Sequence, residues 1–164
     1  MTPLIRAASL LALLPCALPA HADWRAAGDM AALVAELDRW LDTHSDLLPR
    51  PLPRVRVVAH QDLLALHGAL RASDGRLRGL YDAERGEILL GRPWSPRDGG
   101  DVSVLLHELA HHRQAGRHYV CAGAMEEAAY RLQAAWAEEM GAQIDIDWFS
   151  VVWAGGCRPR DIHP

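Results

Sequence analysis

Five residues, His107-Glu108-Leu109-Ala110-His111, constrain this chain more than any other stretch. They lie inside an apolar-periodic segment, residues 101–116, whose spacing predicts an α-helix. A helix turns about 100° per residue, so the two imidazoles stand one turn apart on one face, as a two-pronged clamp for a divalent metal. Two neutral imidazole nitrogens at that spacing can both approach a tetrahedral Zn²⁺ at about 2.0 to 2.1 Å, while Glu108, one residue further round, reaches beside the ion without ligating it. A carboxylate in that place can take a proton from a water activated by the ion. Chance is the competing explanation in a chain with nine histidines, and a third donor downstream decides between them. Asp101 is expected to cap this helix and Gly116 to end it, with Val102, Leu105, Leu106 and Leu109 as its core-facing flank.

The chain opens with Arg6, an apolar run over residues 7–18, and then Ala20-His21-Ala22. That order matches a signal peptide, residues 1–22, so export to the periplasm or the medium is expected, with residues 23–164 as a single domain. The run is shorter than the roughly 20 residues a membrane span needs, and no later stretch qualifies. A lipid anchor on Cys16 is the rival, disfavoured by Pro15 where such signals carry a small residue. Without the leader, Cys121 and Cys157 remain, and in an exported chain they are expected to pair. The closed loop would add roughly 3 to 4 kcal/mol on a chain-entropy account. Two buried thiols, or cysteine ligation of zinc without a Cys-x-x-Cys pair, are the alternatives.

All 17 basic residues are arginine, against 21 acids, giving a net charge of −4. Such a balance offers no track for nucleic acid. Arginines in the segments 50–56, 71–85 and 113–117 alternate with acids and read as a solvated surface.

Met30, Leu33, Val34, Leu37, Trp40 and Leu41 fall at helical spacing and predict a helix over residues 29–42. Prolines 49, 51 and 53 stop it and lead into a β-branched strand over residues 54–58. Residues 60–70 return to helical spacing through Leu63, Leu64, Leu66 and Leu70. Segments 77–81 and 87–91 predict a β-hairpin around Gly86, and residues 94–100, with Gly99-Gly100, a loop. A further helix spans residues 124–140 with Gly141 as its stop, its buried stripe formed by Met125, Ala129, Leu132, Trp136 and Met140. The apolar segment 144–153 is a candidate last helix. Repeats and a second domain are not in evidence.

A catalytic zinc needs a third protein ligand. His118 would suit the longer pattern H-E-x-x-H-x-x-G-x-x-H, but that register places Gln114 and Arg117 where glycine and histidine belong. Glu126 and Glu127 remain. On the helical wheel, with Met125 at zero, the buried stripe centres at about 15°, Glu126 falls at about 100° beside Gln133, and Glu127 at about 200° beside Arg131. Glu126 is therefore expected to border the core as the third ligand, and Glu127 to face water in an i,i+4 pair with Arg131. A helix N-terminus also favours a carboxylate without any metal, which is the competing account of Glu126.

These residues resemble the gluzincin metallopeptidases, in which H-E-x-x-H is followed by a glutamate ligand on a later helix. More narrowly, His107-Glu108-Leu109-Ala110-His111-His112-Arg113-Gln114, with Cys121 and Glu126-Glu127-Ala128-Ala129-Tyr130-Arg131-Leu132-Gln133, is similar to a small secreted bacterial metallopeptidase family of the zincin type. The likeness covers about the last half of residues 23–164. It implies Zn²⁺ as cofactor, a peptide or protein substrate, and hydrolysis with Glu108 as general base. Larger gluzincins often carry an aspartate four residues after the ligand glutamate, where this chain has Tyr130.

The fold expected is a compact, mainly helical α+β domain, zincin-like, with a small sheet from the Val57 and Ile88 regions beside the motif helix. His107, His111 and Glu126 are the expected zinc ligands and Glu108 the expected base. His112, His118, Tyr119 and Tyr130 are all available as oxyanion donors, and sequence selects none of them. Two readings of another class compete: a secreted, non-catalytic zinc-binding or interaction module, and a metal-free interaction domain with His107 and His111 as core histidines. Substrate preference and oligomeric state are not legible at this level.

Overall fold

The computed structural model describes residues 23–67, 77–119 and 121–157. The expected leader and the end of the second helix, at Leu70, lie outside them. After a short 3-10 turn, Trp24–Ala26, helix α1 spans Met30–His44, strand β1 Arg54–Val58 and helix α2 His60–His67. Strands β2, Gly79–Asp82, and β3, Glu87–Gly91, form the hairpin. Helices α3, Gly99–Gln114, α4, Ala122–Met140, and α5, Trp148–Gly155, complete a compact α+β fold. None of the described helices is long and apolar enough to cross a membrane.

Each early element follows from its residues. Asp29 caps α1 by accepting from the Ala32 N–H at 2.8 Å, and the spaced apolar side chains Leu33, Val34, Leu37, Trp40 and Leu41 are all buried. In α2 only Leu63 reaches the core, while Leu64 and Leu66 stay exposed, contrary to a continuous apolar stripe. The hairpin turns where the Asp82 carboxylate accepts from the Glu84 and Arg85 N–H groups and Gly86 adopts a left-handed φ of 62°. The sheet has the order β1-β3-β2, with β1 parallel and β2 antiparallel to β3. Val57 pairs with Leu90 and Val55 with Ile88. β3 is buried along its whole length, as a central strand covered by helices must be, and β2 is left at the edge against α3.

The motif helix begins earlier than its sequence suggests. Asp98, not Asp101, is its cap, accepting from the Asp101 N–H at 2.9 Å, so the Gly99-Gly100 pair expected in a loop forms the first turn. Asp101 is instead a buried strut: its carboxylate pairs with Arg78 and accepts from the Ser95 N–H at 2.7 Å. The helix stops at Gln114, one residue before the Ala115 cap, and Gly116 is not among the left-handed glycines. Val102, Leu105, Leu106 and Leu109 are fully buried, as are Ala110, Arg113 and Gln114 on other faces. α3 is therefore enclosed by α1, β2 and α4.

Arg113 corrects the reading of its segment as solvated surface. Its side chain is 0% exposed and holds α1 against α3, reaching Asp38 and Asp42 at 2.8 Å each and the Leu47 carbonyl. A guanidinium can occupy such a place because two carboxylates and backbone oxygens meet its five donors.

α4 starts two residues earlier than expected and stops at Gly141, as expected, with that glycine in a left-handed cap. Cys121, at its N-cap, is bonded to Cys157, which follows α5, with a Cα separation of 5.8 Å. α5 packs along α4 and is stapled to its start. Alkylation of purified protein without reductant is expected to label neither Cys121 nor Cys157, read by mass; labelling of both would contradict the pairing.

Candidate metal centre

His107 and His111 project from one face of α3, and their Nε2 atoms lie 3.0 Å apart. α4 packs against α3 and brings Glu126, in its early turns, to the same point. Glu126 Oε2 is 3.4 Å from His107 Nε2, and Oε1 is 3.4 Å from His111 Nε2. A tetrahedral ion with bonds of about 2.0 to 2.1 Å separates its ligand atoms by about 3.3 Å, and the two nitrogens, and each nitrogen with the Glu126 oxygen that faces it, stand at about that spacing. The donor set, two imidazole nitrogens and a carboxylate, also suits Zn²⁺. On both counts the residues fit the ion.

Glu126, not Glu127, lies with the two histidines, but the depths expected from the wheel are reversed. Glu126 is 48% exposed in its side chain and Glu127 only 29%, the reverse of the expectation. α5 lies over the Glu127 side of α4, so closely that a Cβ on Gly155 would meet Glu127 Oε2 at 2.7 Å. Glu127 keeps its expected pair with Arg131, at 2.6 Å. The buried side of α4 extends through Gln133 and Ala137 toward Glu126, but the core ends before its first turns.

Glu108 is buried beside the cluster and is not one of its three donors. Its carboxylate lies against β2, where it accepts from the Tyr81 backbone. Gly79 makes that approach possible, since a Cβ there would stand 2.6 Å from Glu108 Oε1. Burial pushes the Glu108 carboxyl above its ordinary range, against the opposing pull of His107 and His111. For His111, burial acts downward, yet the bond to Glu126, the charges of Glu108 and Glu126, and Gln114 carry its pKa up to about 9. Burial likewise acts against ionised Glu126, but the two imidazoles outweigh it and hold the group below the usual carboxylate range. A metal must displace the proton that the carboxylates keep on His111, so uptake weakens as pH falls.

The other sequence candidates separate clearly. The Tyr130 ring lies 4.4 Å from that of His107, centroid to centroid, and so borders the cluster. His112 turns away: it is buried with Nε2 2.9 Å from the Pro51 carbonyl and its ring edge-on to Tyr81. His118 is exposed in the loop after α3, and Tyr119 belongs to that loop beside Arg117. Gln114, dismissed in sequence for breaking a longer motif, is within hydrogen-bond reach of His111 Nδ1 at 2.7 Å. Its i,i+3 spacing from His111 was the signal that could have found it. Among the described residues, His107 Nδ1 is buried without a hydrogen-bond partner.

Comparison with known families gives one match, a domain of unknown function (DUF6647), over residues 26–164. No curated protein and no solved structure matches the chain.

Proposed function

Because the chain belongs to the DUF6647 family, whose description names no activity, we propose from the geometry that it is an exported, zinc-dependent peptidase of the gluzincin-like type. The cluster of His107 Nε2, His111 Nε2 and the Glu126 carboxylate, with buried Glu108 beside it, carries this reading. His107, His111 and Glu126 would hold the ion. When bound there, zinc supplies a Lewis acid that polarises a peptide carbonyl and makes water acidic near neutral pH.

The rest of the chemistry belongs to the chain. Glu108 takes the proton from the attacking water and returns it to the leaving amine, a double role that its semi-isolated, buried carboxylate suits. β2 holds Glu108 in place through the Tyr81 backbone, and the absent Gly79 side chain leaves room for it. Half-exposed Glu126 leaves its side of the cluster reachable from solvent, as a substrate requires. Export is supported by the leader pattern of residues 1–22 and by the Cys121–Cys157 bond.

One observation favours the metal-free interaction domain: His107 Nδ1 lacks the acceptor that usually orients a metal-binding imidazole. Metal analysis and a peptide library separate the two readings. Purified wild type is expected to carry about one zinc per chain and to cut library peptides in a chelator-sensitive way, and His107→Ala to carry none. Glu126→Gln should weaken zinc binding by about tenfold or more, and Glu127→Gln by less than about twofold. The opposite order would remove Glu126 from the ligand set, and zinc-free wild type would remove the reading altogether.

A further inference from the structure

Gln114 is fully buried, three residues past His111 on α3. Its amide makes two bonds in different directions. Nε2 donates to the Met125 carbonyl, next to Glu126 on α4, at 3.0 Å, and Oε1 lies 2.7 Å from His111 Nδ1. The first bond fixes the sense of the second. A carbonyl oxygen only accepts, so the amide nitrogen must face Met125 and the amide oxygen must face the imidazole. The opposite orientation would set two acceptors against each other at Met125. An amide oxygen also only accepts, so His111 Nδ1 carries hydrogen, and in the neutral ring the lone pair resides on Nε2. That nitrogen faces Glu126 and His107, at 3.4 and 3.0 Å.

We propose that Gln114 is a positioning residue that fixes both the tautomer and the aim of His111. The bond to Met125 sets which way the amide faces, and the bond to His111 carries the positioning. Its consequence for zinc rests on the function proposed above; its consequence for the His111 proton does not.

Two variants separate orientation from support. Gln114→Met keeps the length and removes both bonds, whereas Gln114→Glu keeps an acceptor for Nδ1–H and removes the donor to Met125. Zinc affinity is read by competition with a chelator, and the His111 ring by ¹⁵N-histidine NMR. Gln114→Met is expected to lose about 10- to 100-fold in zinc affinity and the slowly exchanging Nδ1–H signal, while Gln114→Glu retains that signal and stays within about threefold of wild type. Wild-type affinity in Gln114→Met, or equal losses in both variants, would overturn the proposal. Should wild type bind no zinc, the peptidase reading fails separately, and the NMR spectra of metal-free protein, recorded at a pH where the His111 ring is neutral, decide on Gln114. There, a signal present in wild type and Gln114→Glu but lost in Gln114→Met supports it, and one unchanged in Gln114→Met overturns it. If Gln114→Met does not fold, Gln114→Glu alone decides: a retained Nδ1–H supports the assignment and a lost one overturns it.

Discussion

Glu108→Gln is expected to retain zinc at the wild-type level and to lose hydrolysis by about 10² to 10⁴ in rate or more, the usual cost of removing a general base. The two halves of that result have separate structural causes. Glu108 is not one of the three clustered donors, so its charge is not needed to hold the ion. Glutamine matches it in shape, fits the space left by Gly79, and still offers an oxygen to the Tyr81 backbone, so the pocket survives the change. What disappears is the capacity to take a proton. The measurement is zinc content beside cleavage of a broad peptide library by both proteins. Wild type that carries zinc yet cleaves nothing beyond what Glu108→Gln cleaves would replace the peptidase with a non-catalytic zinc module.

Arg113→Met is expected to produce the largest loss of stability, about 3 kcal/mol, at the lower end of the range for breaking a buried ion pair. The substitution keeps much of the aliphatic volume but strands the carboxylate of Asp38, which is 14% exposed. Asp42 is 43% exposed and recovers part of its hydration, which places the loss at the lower end. Urea unfolding should show a lower midpoint with an unchanged slope. A loss under about 1 kcal/mol would mean that the Arg113 network contributes little beyond packing.

Local chemistry was legible where it was decided locally. β1 occupies residues 54–58 as expected, because prolines isolate a β-branched alternation, and Gly141 ends α4 because only its left-handed cap was needed there. Strand direction was not legible: the parallel pairing of β1 with β3 depends on where the intervening chain crosses, which no residue in either strand encodes. Asp101 and Asp98 are both competent caps, and sequence could not show that Arg78 and the Ser95 N–H claim the first of them. Arg113 read as surface because its partners lie on α1, some seventy residues upstream. Periodicity identified the side of α4 that carries Glu126, but the depth of Glu127 was set by α5, an element beyond the reach of a helical wheel.

The three clustered donors and Gln114 all lie within residues 107–126, on two consecutive helices. The surroundings of Glu108 come instead from β2, about thirty residues upstream and pinned to β3. On the function proposed above, holding an ion and using it would thus be written into different supersecondary units. A chain that opens at its sheet while α3 and α4 stay paired would remain loaded and become inert, so metal content alone is a poor measure of intact protein.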